Sequence, residues 1–240
     1  MRVLGIDEAG RGSIIGPMII AGVVFDSRDK RKLKKIGVKD SKQLTKRKRE
    51  EIYEFLQDIA KDIFIIKVSP CKIDSENLNS IEMKKIAQII EMSDANFVYI
   101  DALTSRPKKF VKKLRELLNN KKIKIKAENK MDEKNLFVGA ASIIAKVERD
   151  WEIEKIKKDV NFDFGIGYPH DPKTIEFVKK CIEDGNDCKY IRWKWDTVKK
   201  IVRELEENGI KIDKKIYKKA KIRKSIGFQR KLKEFLRKKL

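Results

Sequence analysis

Val3-Leu4-Gly5-Ile6-Asp7-Glu8-Ala9-Gly10-Arg11-Gly12 decides the fold, because an apolar run breaks there into two adjacent acids and a glycine turn. Val3–Asp7 reads as a strand. Adjacent side chains on an extended strand point to opposite faces, so Asp7 and Glu8 reach one site only if the strand ends with them. Pro17–Phe25 (PMIIAGVVF) is near-continuously apolar, as a strand buried on both faces is. Ile63–Ser69 and Phe97–Asp101 supply a third and a fourth strand, and Ile123–Ala127 alternates like a half-exposed fifth. Thr45 can cap a helix running to about Ala60, with Ile52, Leu56 and Ile59 on one face. Met83, Ile86 and Ile90 stripe a second helix, Phe110, Leu114 and Leu118 a third, and Ala140, Ile144, Val147 and Trp151 a fourth. Early strands followed by helix–strand alternation predict an α/β domain with a mixed central sheet flanked by helices.

The chain of 240 residues suits one sizeable domain with an appendage. Its 59 Lys and Arg against 37 Asp and Glu give a net charge of +22, which points to a polyanionic partner. Nucleic acid leads, with an anionic membrane surface behind it. The excess is uneven: from Lys199 to Leu240 there are 17 Lys and Arg against 5 Asp and Glu. We therefore expect a catalytic domain over 1–200 and a basic helical extension over 201–240, hinged near Gly209. No apolar run reaches about 18 residues, so no membrane span is expected. The N-terminus lacks the apolar core and cleavage site of a secretory signal. Abundant Lys, Glu and Ile with only four Gln resemble a hyperthermophile's composition.

Cys71, Cys181 and Cys188 are scattered and form no C-x-x-C pair, which argues against a disulfide framework or a zinc site and favours a reducing cytosol. His170 is the one histidine, so histidine-based metal sites are excluded; a loop role is expected for it. Carboxylates remain. Asp101 closes the apolar strand that begins at Phe97, at the kind of sheet edge where open α/β folds keep their sites, although a helix cap would also place an acid there. Asp132 and Glu133 compete for a further position ahead of the small-residue helix start Gly139-Ala140-Ala141-Ser142. Acids from separated segments, without His or Cys, suit hard cations such as Mg²⁺ or Mn²⁺. Two such ions about 3.5–4 Å apart can clamp the attacking and leaving oxygens of a phosphodiester.

IDEAGRG from Ile6, DSKQLT at Asp40–Thr45, YIDA at Tyr99–Ala102, AASIIAKVERD at Ala140–Asp150 and GYPHDPKT at Gly167–Thr174 together resemble ribonuclease HII, especially its archaeal branch. The resemblance covers about residues 1–200, with the motifs in order. It implies a ribonuclease H-like fold, and endonucleolytic cleavage of the RNA strand of RNA–DNA hybrids, and of ribonucleotides embedded in duplex DNA. The expected products carry 5′-phosphate and 3′-hydroxyl ends, with two Mg²⁺ or Mn²⁺ ions engaged. By motif the catalytic, metal-holding acids fall on Asp7, Glu8, Asp101 and Asp132. Asp132 is preferred to Glu133 by its distance to Gly139. The resemblance also assigns Gly10, Arg11 and Gly12 to the ribose 2′-hydroxyl and Tyr168 to a stack on the neighbouring deoxyribose. Lys42 and Lys146 become candidate phosphate contacts, against the ordinary alternative of solvated lysines. Departures are Ser13 where proline is common, Gly139 for Ser or Ala, and Lys194 where serine is frequent.

Rival readings are another nuclease of the same superfold and a non-catalytic basic nucleic-acid-binding protein. Ribonuclease HIII is disfavoured because the first acid comes at residue 7. A monomer is expected. At the chain's end, Gln229, Leu232, Phe235 and Leu236 nearly spell the box that docks proteins on the replication sliding clamp, with Leu236 where a second aromatic is usual. An amphipathic helix packed on its own domain is the alternative.

Overall fold

Strand β1 (Arg2–Ala9) is the axis of the sheet, pairing antiparallel with β2 (Met18–Asp26) and parallel with β4 (Phe97–Asp101). The computed structural model describes residues 1–38, 44–102, 104–119 and 122–222. After β2 come α1 (Lys30–Lys35), α2 (Lys46–Ile59), β3 (Asp62–Val68), α3 (Pro70–Ser75) and α4 (Leu78–Met92). Beyond β4 lie α5 (Pro107–Glu116), β5 (Lys124–Glu128), α6 (Met131–Lys134) and α7 (Leu136–Val160). The chain continues through α8 (Pro172–Glu183), α9 (Asp196–Glu207) and α10 (Lys214–Ala220).

The strand order is β3-β2-β1-β4-β5, with β3 antiparallel to β2 and β5 parallel to β4. This is the mixed α/β sheet that the strand pattern predicts. One expectation fails: β1 does not end at the two acids. Its pairing with β2 continues through Asp7↔Ala21, Glu8↔Ile20 and Ala9↔Ile19, so Asp7 and Glu8 alternate across the sheet. The face carrying Val3, Ala9, Ile19, Ala21, Val23 and Phe25 packs with Leu56 of α2 and Phe137, Ala140 and Ile144 of α7. Gly5 permits this: a Cβ there would lie 2.1 Å from the Phe137 carbonyl oxygen, so α7 rests directly on the β1 backbone. On the opposite face, Gly22 of β2 lies so close to Ile89 of α4 that a Cβ would be 2.4 Å from its Cγ2. Gly139, where the resemblance leads one to expect Ser or Ala, sits where a Cβ would be 3.0 Å from Val38 and 3.1 Å from the Asp132 carbonyl.

The described chain forms two compact units. The first comprises residues 1–12 and 17–156 and contains the whole sheet. The second comprises 13–16 with the chain from 157 onward. Helix α9 runs unbroken through residue 200, where the composition turns basic. Within the second unit, Phe162 and Phe164 pack on Phe177 of α8, with ring centroids 5.2 and 5.4 Å apart. Arg192, fully buried, donates from Nε to the Gly16 carbonyl at 3.0 Å and so ties segment 13–16 to that unit. Among the described residues, no helix is long and apolar enough to cross a membrane.

Candidate active site

Parallel register carries the first two acids to one edge. Ile6 pairs with Ile100, so the next residues of the two strands, Asp7 and Asp101, emerge side by side. The third acid arrives by a short path: β5 pairs with β4 through Asp101↔Glu128, Lys130 takes a left-handed turn at φ 57°, and α6 begins. The Met131 amide donates to Asp101 Oδ1 at 3.1 Å, fastening the start of α6 to that carboxylate. Asp132 is buried there, whereas Glu133, the competing acid in the sequence, is exposed. Asp7, Asp101 and Asp132 each offer an oxygen within 4.8 Å of the others.

Glu8 stands apart from this trio by strand parity, half-buried on the sheet face opposite to Asp7. It is nonetheless electrically part of the site. Burial pushes its carboxyl up to about 7; Arg11 opposes that rise, while Asp101 and Asp132 add to it. Asp7 is held well above the usual carboxylate range, first by burial and then by repulsion from Glu8 and Asp101. A hydrogen bond from Ser142 and the Glu8 amide, at 2.7 Å from Asp7 Oδ1, pull the other way. Lys146 Nζ donates to Ser142 Oγ at 2.8 Å, one turn along α7. Lys146 is thereby linked through Ser142 to Asp7.

The glycine–arginine–glycine turn follows at once. Gly10 has φ 77°, and a Cβ there would lie 2.5 Å from Nε of the buried Arg149 and 2.8 Å from the Pro17 carbonyl. Only glycine fits both the backbone angle and the space. Arg11 is ion-paired with the buried Glu82 of α4 and hydrogen-bonded to Asn79. Burial lowers its pKa, and Glu8 acts against that lowering.

Tyr168 belongs to the second unit, in a loop built by its neighbours' side chains. Thr174 Oγ1 accepts from the Gly167 amide at 3.0 Å and donates to the Phe164 carbonyl at 2.7 Å. Asp171 accepts from the amides of Ile166 at 2.7 Å and Lys173 at 3.0 Å, capping α8. The Tyr168 ring, half-buried, stacks on that of His170 with centroids 5.6 Å apart. Lys42, Gln229, Leu232, Phe235 and Leu236 lie outside the described residues. Ser142 and Arg149 were not singled out in the sequence. The available signal was their spacing with Lys146 on α7, three polar residues along one side of a largely buried helix.

Three carboxylates, two buried and Asp101 half-buried, converging without His or Cys are a donor set for hard divalent cations, and without a cation their mutual repulsion is uncompensated. Fold and site thus define an α/β protein with a carboxylate cation centre at the ends of parallel strands. The ribonuclease HII family model matches residues 4–198. A ribonuclease HII of Methanococcus maripaludis is 42% identical over 87% of this chain and 90% of its own length. The crystal structure of the ribonuclease H2 of Pyrococcus horikoshii matches with a TM-score of 0.80 at 38% identity, covering 87% of this chain and 100% of that one. A structure of the PCNA:RNase HII complex from Archaeoglobus fulgidus matches with a TM-score of 0.76 at 39% identity, over 83% of this chain and 96% of that one. The chain belongs to the ribonuclease HII family. It is a metal-dependent endoribonuclease acting on RNA–DNA hybrids, and its fold is ribonuclease H-like.

Proposed function

We propose that Asp7, Glu8, Asp101 and Asp132 are the catalytic acids and would hold two ions, Mg²⁺ or Mn²⁺. The observation that carries this reading is the convergence of the Asp7, Asp101 and Asp132 carboxylates at one sheet edge. Glu8 joins the set through its charge, since Asp101 and Asp132 both raise its carboxyl. Bound there, the ions supply Lewis-acid stabilisation of the attacking and leaving oxygens of a phosphodiester. The chain's own residues fix the geometry: the Glu8 amide and Ser142 hold the Asp7 carboxylate, and the Met131 amide holds that of Asp101. Lys146 acts through Ser142 as a positioning residue, a role its hydrogen bond favours over direct phosphate contact.

Gly10, Arg11 and Gly12 bring bare backbone to the ribose 2′-hydroxyl, the group that separates RNA from DNA. Tyr168 stacks on the deoxyribose beyond the cut, and Lys42 contacts a phosphate. The products carry 5′-phosphate and 3′-hydroxyl ends, and single ribonucleotides embedded in duplex DNA are substrates besides hybrids. The protein works as a monomer in the cytosol. Through Gln229, Leu232, Phe235 and Leu236 it docks on the sliding clamp; a relative solved in complex with PCNA supports this. The test is cleavage of a DNA duplex holding one ribonucleotide, with Mg²⁺, with Mn²⁺ and with chelator. Metal-dependent cutting 5′ to a phosphate at the ribonucleotide is expected; cutting of all-DNA duplexes at equal rate would refute the reading. Calorimetry of a Ser225–Leu240 peptide against the clamp tests the docking, and no heat would remove it.

A further inference from the structure

The Arg11 side chain leads away from the acids into a second feature that the acid site does not use. A cavity of about 230 Å³ opens beside it, lined also by Thr104, Ser105, Arg106, Lys109 and Lys113. The wall is strongly basic: its one acid is Glu82, already bound to Arg11. Some basic side chains elsewhere are neutralised, as by Lys67 with Glu148 and Glu152, Arg49 with Asp150, and Lys173 with Asp163; what sets this group apart is that it lines one cavity. Among the described residues, Arg106, Lys109 and Lys113 make no ion pair. Lys109 and Lys113 are one turn apart on α5, so they present their ammonium groups from the same side of the helix. The N-cap residue of α5, Arg106, gives that helix no side-chain cap. Four cations, two hydroxyls and an uncapped helix start around one cavity are the donor chemistry of a phosphate site. Its position is fixed by the same strands as the acids: Arg11 follows Glu8 by three residues, and Thr104 follows Asp101 by three.

We propose that this cavity between α4 and α5 binds a backbone phosphate of the nucleic-acid substrate, distinct from the phosphate that is cut. The proposal rests on the nuclease reading given above. Arg11 joins the two: one face of its surroundings is the acid edge, the other the cavity. A phosphate seated there anchors the strand at a second point, away from the cleaved bond, and so adds to binding of the duplex.

The experiment uses the full-length protein and a hybrid duplex in which each phosphate in turn is replaced by an uncharged methylphosphonate. Binding is measured with Ca²⁺ in place of Mg²⁺. Wild type is expected to lose about tenfold in affinity when one phosphate away from the cleaved bond is neutralised. The Lys109→Ala/Lys113→Ala variant is expected to lose the same at every duplex except that one, where the substitution costs nothing further. Its slope of log affinity against log salt falls by about one. Its cleavage at saturating hybrid stays at the wild-type rate while KM rises, and Lys113→Arg restores binding in part. Equal sensitivity of variant and wild type at every position overturns the proposal while leaving the nuclease reading intact. Calorimetric binding of inorganic phosphate to wild type, without any position effect in the duplex, also overturns it by making the cavity a free-anion site. Absence of metal-dependent cutting by wild type overturns the nuclease reading itself and, with it, the cavity's assignment.

Discussion

The acid edge and the Tyr168 loop are built on different principles. At the acid edge, backbone register does the placing: Ile6↔Ile100 sets Asp7 beside Asp101, and the end of β5 delivers Asp132 in the first turn of the short helix that follows. Around Tyr168, side chains do it, with Thr174 and Asp171 satisfying the amides of Gly167, Ile166 and Lys173. Gly165 and Gly167 supply the positive φ angles of 73° and 79° that this loop needs. A register-built site moves only if the sheet moves, whereas a loop held by two polar side chains can be altered one hydrogen bond at a time. On the proposed roles, acids for chemistry and Tyr168 for recognition, the two should therefore separate under mutation.

The sharpest break of that comparison is neutralisation of the acids. Asp7→Asn, Asp101→Asn and Asp132→Asn should each lower the cleavage rate by about three orders of magnitude with the fold retained, since each removes a charged oxygen donor without changing shape. Glu8→Gln should do the same, and Glu133→Gln, being on an exposed carboxylate, should not. Single-turnover rates in Mg²⁺ decide it; a near-normal rate for Asp132→Asn would remove that residue from the site. Ser142→Ala should be milder. It leaves every acid in place but takes away the hydroxyl between Lys146 and Asp7, so the Mg²⁺ concentration needed for half-maximal rate should rise about tenfold. Lys146→Met should shift the same metal titration in the same direction; a change in KM for substrate without a metal shift would instead make Lys146 a phosphate contact.

On the loop side, Tyr168→Ala should cost about 1–3 kcal/mol at a single embedded ribonucleotide and less on long hybrids, where other contacts hold the strand. Rates on the two substrates, measured side by side, test this. Equal losses would make Tyr168 a packing residue of its stack with His170.

How much of this was legible beforehand follows the same division. Periodicity located all five strands within a residue or two at most ends, and hence the mixed sheet, because apolar runs such as Pro17–Phe25 leave few alternatives. The end of β1 was misplaced because the acid pair reads as a break, while the ladder to β2 persists through Ala9 regardless of side-chain charge. The acids themselves could be found as strand-end carboxylates, yet their joining required the parallel pairing of β1 with β4, a long-range fact no local window contains. Residue type alone left Asp132 and Glu133 level, since both open the same helix; the resemblance preferred Asp132 by its distance to Gly139, and burial of Asp132 beside an exposed Glu133 is the physical difference between them. Helix α3 went unread because six residues carry little periodicity, whereas α8 was missed although Asp171-Pro172 is a cap-and-proline start and Thr174, Phe177, Val178, Cys181 and Ile182 stripe one face. The Ser142–Lys146 link had only its helical spacing of four residues as a signal, and the basic cavity had none, being formed among residue types that are common everywhere in this chain.

The smallest expected effect concerns stability rather than rate, and it tests whether the acid edge is strained without its cation. Glu8 titrates at about 7 in the folded protein against an ordinary 4.5, and Asp7 is raised in the same direction. The folded chain therefore keeps protons that the unfolded chain releases. Stability from these groups is fully present below about pH 4.5 and is lost as the pH rises through about 7. In the presence of chelator, wild type should lose stability across that window. Asp7→Asn removes one of the repelling charges, so the variant should melt a few degrees above wild type at about pH 8 and converge with it toward pH 5. Added Mg²⁺ compensates the same charges, so it should raise the melting temperature of wild type more at the higher pH than at the lower, and should raise that of Asp7→Asn less at either. Calorimetric melts across the pH range, with and without metal, measure all of these. A variant that melts below wild type at the higher pH in chelator would mean that the hydrogen bonds Asp7 accepts from Ser142 and the Glu8 amide outweigh the repulsion at the acid edge.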